Sequence, residues 1–144
     1  MKVIKEGVIS APVQKVFDFV SDLERRPLFV PNLVGIRNVT PPERGVGQSW
    51  DFQFSLFGAM LNGKGSCTLY EPHTRYGFRT EGDVFSTWLY TFTSEADRTR
   101  LLIEIEYDPP ASVLAKIANS VLLSRLNEND AERGIHNLKT ILED

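Results

Sequence analysis

The chain has 144 residues and a mass of 16.3 kDa, the length of one domain and enough to bury a core without disulfides or metals. Lys plus Arg number 16 against 19 Asp plus Glu, giving a net charge of −3 with no basic run, which argues against a nucleic acid as partner. Hydrophobic residues make up 42% and charged ones 24%, a globular rather than a disordered balance.

No stretch approaches the roughly 18 consecutive apolar residues of a membrane span, so no integral membrane association is expected. The opening Met1-Lys2-Val3-Ile4-Lys5-Glu6 carries an acid where a signal peptide needs an apolar run, and the expected location is cytoplasmic. Cys67 is the single cysteine, which excludes an internal disulfide and a thiolate metal cluster. His73 and His136 have no carboxylate or cysteine at ligand spacing, and neither a phosphate loop, a dinucleotide fingerprint nor a nucleophile elbow occurs. No metal and no cofactor are therefore expected.

Lys2 to Ile9 alternate weakly, as in a strand, and end at Ser10-Ala11-Pro12. Ser10 is a good N-cap residue and Pro12 suits a first helical turn. Val13, Val16, Phe17 and Val20 follow at helical spacing, predicting an amphipathic helix over 11–21. Asp22 then caps a second short helix through Glu24 and Arg25, which Pro27 and Pro31 keep short.

From Val34 to Asp108 the period falls from 3.6 to 2. Trp50, Phe52, Phe54 and Leu56 alternate with polar residues, as do Ile103, Ile105 and Tyr107, and Trp88, Tyr90 and Phe92 mark another alternating run. Turn signals separate these runs at Gly45-Val46-Gly47, Phe57-Gly58, Glu71-Pro72, Glu81-Gly82-Asp83 and Glu95-Ala96-Asp97. Short connections between strands imply antiparallel hairpins. Every aromatic residue except Phe17, Phe19 and Phe29 lies between Trp50 and Tyr107, so the inner face of the sheet is rich in rings.

After Asp108-Pro109-Pro110 the pattern is helical from about Ser112, its expected N-cap, to Leu142. Such a helix would span roughly 45 Å. Ala131, Ile135, Leu138 and Leu142 share one face, whereas Leu114, Ala118, Val121 and Leu122 centre about a quarter turn away. Ser124, Asn127 and Glu128 fall on or beside the buried face, so the helix either kinks there or presents polar groups inward.

This order of elements resembles the START-like helix-grip superfamily (the SRPBCC group), including the polyketide cyclase/dehydrase family. The likeness is carried by Ala11-Pro12-Val13-Gln14-Lys15-Val16-Phe17, by Gly45-Val46-Gly47 leading to Trp50, and by Tyr70-Glu71-Pro72 followed by Tyr76-Gly77-Phe78-Arg79. Tyr90-Thr91-Phe92 with Thr99-Arg100-Leu101, and Ala131-Glu132-Arg133 through Asn137-Leu138-Lys139, extend it over nearly the whole chain. The resemblance implies a single α+β domain over 1–144: a curved antiparallel sheet of about seven strands around a long C-terminal helix, with two short helices between the first two strands. It also implies a hydrophobic cavity between sheet and helix. Members bind lipids, quinones, sterols, polyketides or aromatic hormones, and a minority catalyse cyclisation or dehydration. The catalytic signature of the bona fide cyclases is absent from this chain.

On strand parity, Trp50, Phe52, Phe54, Tyr76, Phe78, Trp88, Tyr90, Ile103 and Ile105 are the expected cavity lining. The competing reading for each is plain core packing. Gly63 and Gly65, on the strand with Cys67, remove side chains from the lining if Cys67 faces inward, and a bulge near Tyr70 would invert that parity. On this reading Gly65→Leu blocks ligand uptake and leaves the fold intact. Cys67 itself reads as a small buried residue rather than a nucleophile. Ser124, Asn127 and Glu128 are the polar candidates for a ligand head group, with Arg79 and Arg125 as partners for a buried Glu128; alternatively the helix emerges into solvent there.

Three functions stay open. The first is binding or transport of a hydrophobic small molecule such as a lipid, quinone or polyketide. The second is a cyclase or dehydratase using Glu128 or a pocket tyrosine as acid or base. The third is an interaction module docking through Leu122, Leu123 and Leu126 on the helix edge. A homodimer is compatible with that same edge.

Overall fold

The computed structural model describes residues 1–143. Its elements in order are β1 (Lys2–Ile9), α1 (Val13–Val20), α2 (Arg26–Phe29), β2 (Leu33–Thr40), β3 (Ser49–Leu56), β4 (Ala59–Glu71), β5 (Arg75–Gly82), β6 (Ser86–Glu95), β7 (Arg98–Tyr107), α3 (Ala111–Leu114) and α4 (Ser120–Leu142). The seven strands form one antiparallel sheet in the order β1-β7-β6-β5-β4-β3-β2. From β2 to β7 every strand pairs with its neighbour in sequence, as short hairpin turns require, while β1 closes on β7 with Val3 opposite Ile105. The chain must then cross from one sheet edge to the other between β1 and β2, and α1 and α2 make that crossing. This is the helix-grip fold. No helix among the described residues is long and apolar enough to cross a membrane.

Strand parity places Trp50, Phe52 and Leu56 of β3, Tyr76 and Phe78 of β5, Tyr90 and Phe92 of β6, and Leu101, Ile103 and Tyr107 of β7 in the buried interior. The bulge on β4 is present: Cys67 pairs with Phe78, but Leu69 pairs with Gly77. Because it follows Cys67, that residue stays buried at 2% exposure, and parity inverts only beyond it, turning the Tyr70 ring onto Phe17 at 5.4 Å between centroids.

Helix α4 lies across β1 and α2. Gly7 makes the approach to β1 possible, since a Cβ there would stand 2.7 Å from Ile135 Cγ2. At Gly134 the helix passes close to Phe29 and Pro31, and the Asn137 side-chain amide donates to the Phe29 carbonyl at 3.2 Å. α2 is thereby pinned beneath α4.

Helix boundaries differ from the sequence reading in three places. Pro12 is extended (ψ 152°), so α1 starts at Val13 with no side-chain cap, and the Ser10 amide instead donates to the Glu143 carboxylate at 2.7 Å. The Asp22 carboxylate accepts from the Glu24 amide, which closes a turn rather than opening a helix; the helix itself is displaced to Arg26–Phe29, with Pro27 in its first turn. The long C-terminal helix is two helices. Pro110 precedes α3, so Ser112 lies inside it and caps nothing, and Asn119 caps α4 by accepting from the Val121 and Leu122 amides. The break between Leu114 and Ser120 separates Leu114 and Ala118 from α4, Val121 and Leu122 keep the offset by facing outward from the first turn of α4, and α4 runs uninterrupted through Ser124–Glu128.

Candidate functional site

Between the concave face of the sheet, α2 and α4 lies a cavity of about 130 Å³. That is close to the roughly 150 Å³ of a dry apolar cavity that takes up benzene, and far above the ~10–15 Å³ a single water needs. Trp50, Phe52 and Phe54 of β3 form one wall, Phe78, Trp88 and Tyr90 the floor, and Ile103 and Ile105 the other wall. Asn127, Ala131 and Gly134 of α4 roof it, while Arg26 and Phe29 of α2 close one end. The floor is ordered by cross-strand pairing. Phe78 sits opposite Trp88, and their rings stack at 5.4 Å and 16°, with Trp50 edge-on to Phe78 at 5.4 Å.

Five residues expected in the lining lie elsewhere. Gly65 is opposite Trp50 in the β3–β4 register, as Gly63 is opposite Phe52, and a Cβ at either glycine would collide with the facing ring. The missing side chains are thus already occupied by aromatic rings, the usual partnership of a glycine with a large cross-strand neighbour. Gly65→Leu would disrupt the sheet before it touched a ligand. Cys67 is buried outside the cavity, its thiol donating to the Leu69 carbonyl at 3.5 Å, and burial pushes its pKa up. Tyr76 is buried without lining the cavity. Ser124 is half-buried, and Glu128 is exposed, as are Arg79 and Arg125; among the described residues these three charges form no ion pair with one another.

Asn127 alone of the polar trio reaches the cavity, donating to the Tyr107 hydroxyl at 2.6 Å. The expected apolar helix edge is also different: Leu123 is 1% exposed and packs with Val113, Tyr107 and Leu56, leaving Val121 and Leu122 outside and Leu126 half-buried. Asp130, at the rim, accepts from the Asn32 side chain at 3.1 Å, and partial burial raises its pKa.

The most unusual lining residue escaped the sequence reading. Arg26 is 3% exposed. Its guanidinium stands 4.3 Å from the Phe78 ring centroid, 5.0 Å from Trp50 and 5.3 Å from Tyr76. Nη2 donates to the Tyr76 hydroxyl at 2.6 Å, whereas Nε and Nη1 have no partner among the described residues. Among the described residues no carboxylate comes within ion-pair distance of it. Burying a charge costs several kcal/mol after relaxation, and each ring returns roughly 0.5–2 kcal/mol. Burial pushes the Tyr76 hydroxyl's pKa up while Arg26 pulls it down, and Tyr90 is raised for the same reason. A faint signal was present in the sequence: Leu23, Arg26 and Val30 share the helical phase that continues the buried face of α1.

The sequence profile of the family described as "Polyketide cyclase / dehydrase and lipid transport" matches residues 2–143. The chain belongs to this family. No curated protein matches it in sequence. Among solved structures it is similar to the ZhuI aromatase/cyclase from Streptomyces sp. R1128, at 16% identity and TM-score 0.77 over 99% of this chain and 93% of that one. It is also similar to a START superfamily protein from Mycobacterium smegmatis, at 15% identity and TM-score 0.77 over 99% and 97% of the two chains. A third is a protein from Thermus thermophilus, at 18% identity and TM-score 0.80 over 97% and 95%. At these identities the likeness is one of fold. This member of the family therefore has the helix-grip architecture, and its family and fold indicate either hydrophobic-ligand binding or cyclase-like chemistry.

Proposed function

We propose that this family member binds or carries an apolar small molecule in the cavity between its sheet and α4. The observation that supports the reading is the cavity itself: about 130 Å³ lined predominantly by aromatic and aliphatic side chains. An interior that merely needed packing would fill such a space, because an empty apolar cavity forfeits dispersion contacts and costs about 24 cal/mol per Å³. The proposed lining comprises Trp50, Phe52, Phe54, Phe78, Trp88, Tyr90, Ile103 and Ile105, with Asn127 and Arg26 as polar contacts.

Native mass spectrometry of the protein purified from its own host, followed by extraction, tests this reading. A stoichiometric apolar compound that remains bound is the expected outcome. A protein that carries nothing and also takes up no single-ring aromatic compound in solution overturns it.

A further inference from the structure

We infer that the ligand of this cavity is an amphipathic molecule with one oxyanion, in the simplest case a carboxylate, which pairs with Arg26. The inference rests on the cavity being a binding site and adds the chemical class of its occupant. A guanidinium stays charged at any pH a protein survives, so only a partner can neutralise it. The structure provides three ring faces and one phenol for Arg26 but no carboxylate among the described residues. Two of its nitrogens, Nε and Nη1, are buried and unpartnered among the described residues. The side chain belongs to the lining, and two of its three rings, Trp50 and Phe78, line the same space.

Buried charges are ordinarily paired. Arg26 is held where it is by α2, which Asn137 pins through the Phe29 carbonyl, so it does not reach solvent without moving that helix. An apolar body over the Phe78–Trp88 stack, with its oxyanion at the Arg26 end, would satisfy both halves of the cavity at once. A neutral ligand of the same shape would leave the charge uncompensated.

Isothermal titration of the whole protein with phenylacetate and with 2-phenylethanol separates the possibilities. The expected result is that phenylacetate binds at least tenfold tighter than the alcohol, and that high salt changes its affinity little, since a buried pair is poorly screened. In Arg26→Met the acid should lose at least tenfold while the alcohol binds as well or better. Should that variant fail to fold, the acid-to-alcohol ratio in the unaltered protein decides alone. Equal binding of the two, or a preference for the alcohol, overturns the inference and leaves the cavity reading standing. Binding of neither overturns the inference, and it overturns the cavity reading too when the protein also carries no compound from its own host.

Discussion

Among the described residues Tyr76 provides the only hydrogen bond of the Arg26 side chain, at 2.6 Å, and both groups are nearly inaccessible to solvent. Hydrogen bonds to charged groups contribute about 1.5–3 kcal/mol, and a buried group stripped of its partner bears the full desolvation cost. Tyr76→Phe keeps the ring over the guanidinium and removes only the hydroxyl. It should lower stability by about 1.5–3 kcal/mol in urea unfolding, and by much less when made in an Arg26→Met background, where no charge is left to satisfy. A loss equal in the two backgrounds would mean that the hydroxyl acts through something other than Arg26. Arg26 also shows why this part of the site was hard to see in the sequence. Hydropathy marks an arginine as exposed by default, and only its phase with Leu23 and Val30 points inward; the rings that receive it come from β3 and β5, which are distant from α2 in the chain.

Among the elements, α4 depends on how it begins. Asn119 accepts from two amides of the first turn, at 3.0 Å from Val121 and 3.1 Å from Leu122. The preceding stretch from Ala115 breaks the helix, so no earlier turn shields those donors. Asn119→Ala should cost about 1 kcal/mol, read as a lower urea midpoint at unchanged slope, and should speed amide exchange at Val121 and Leu122. Unchanged exchange there would mean that packing of Leu123 against Val113, rather than the cap, sets the helix start. The strands were legible because alternation in consecutive residues reports directly on which side faces the core. Helix ends were not, because Ser10, Asp22 and Ser112 are all chemically competent caps. Which competent residue caps is settled by backbone neighbours such as the extended Pro12 and by tertiary partners such as Glu143 for Ser10. The glycines of β4 failed for a related reason: Gly65 looks like empty space along its own strand and is filled by Trp50 only once the register to β3 is known.

For the molecule as a whole, the cavity is bounded by the sheet on one side and by α2 and α4 on the other, so filling it couples directly to global stability. A ligand that binds only the folded state stabilises it by RT ln(1 + [L]/Kd). At ten times Kd that is about 1.4 kcal/mol, which for a domain of this size raises Tm by roughly 3–6 °C. Phenylacetate should produce a shift of that order, and the shift should grow with the logarithm of its concentration. Ala131 offers the matching control, because it roofs the cavity from the buried face of α4. A phenyl group at that position would extend into the space a single-ring ligand occupies. Ala131→Phe should therefore leave the ligand-free Tm unchanged or slightly higher, by restoring packing contacts, while abolishing the shift on adding phenylacetate. If the full shift survives in Ala131→Phe, the acid is stabilising the protein from somewhere other than this cavity. If the variant melts far below the parent, the roof has no room for a ring, and the space between sheet and helix is smaller than a ligand needs.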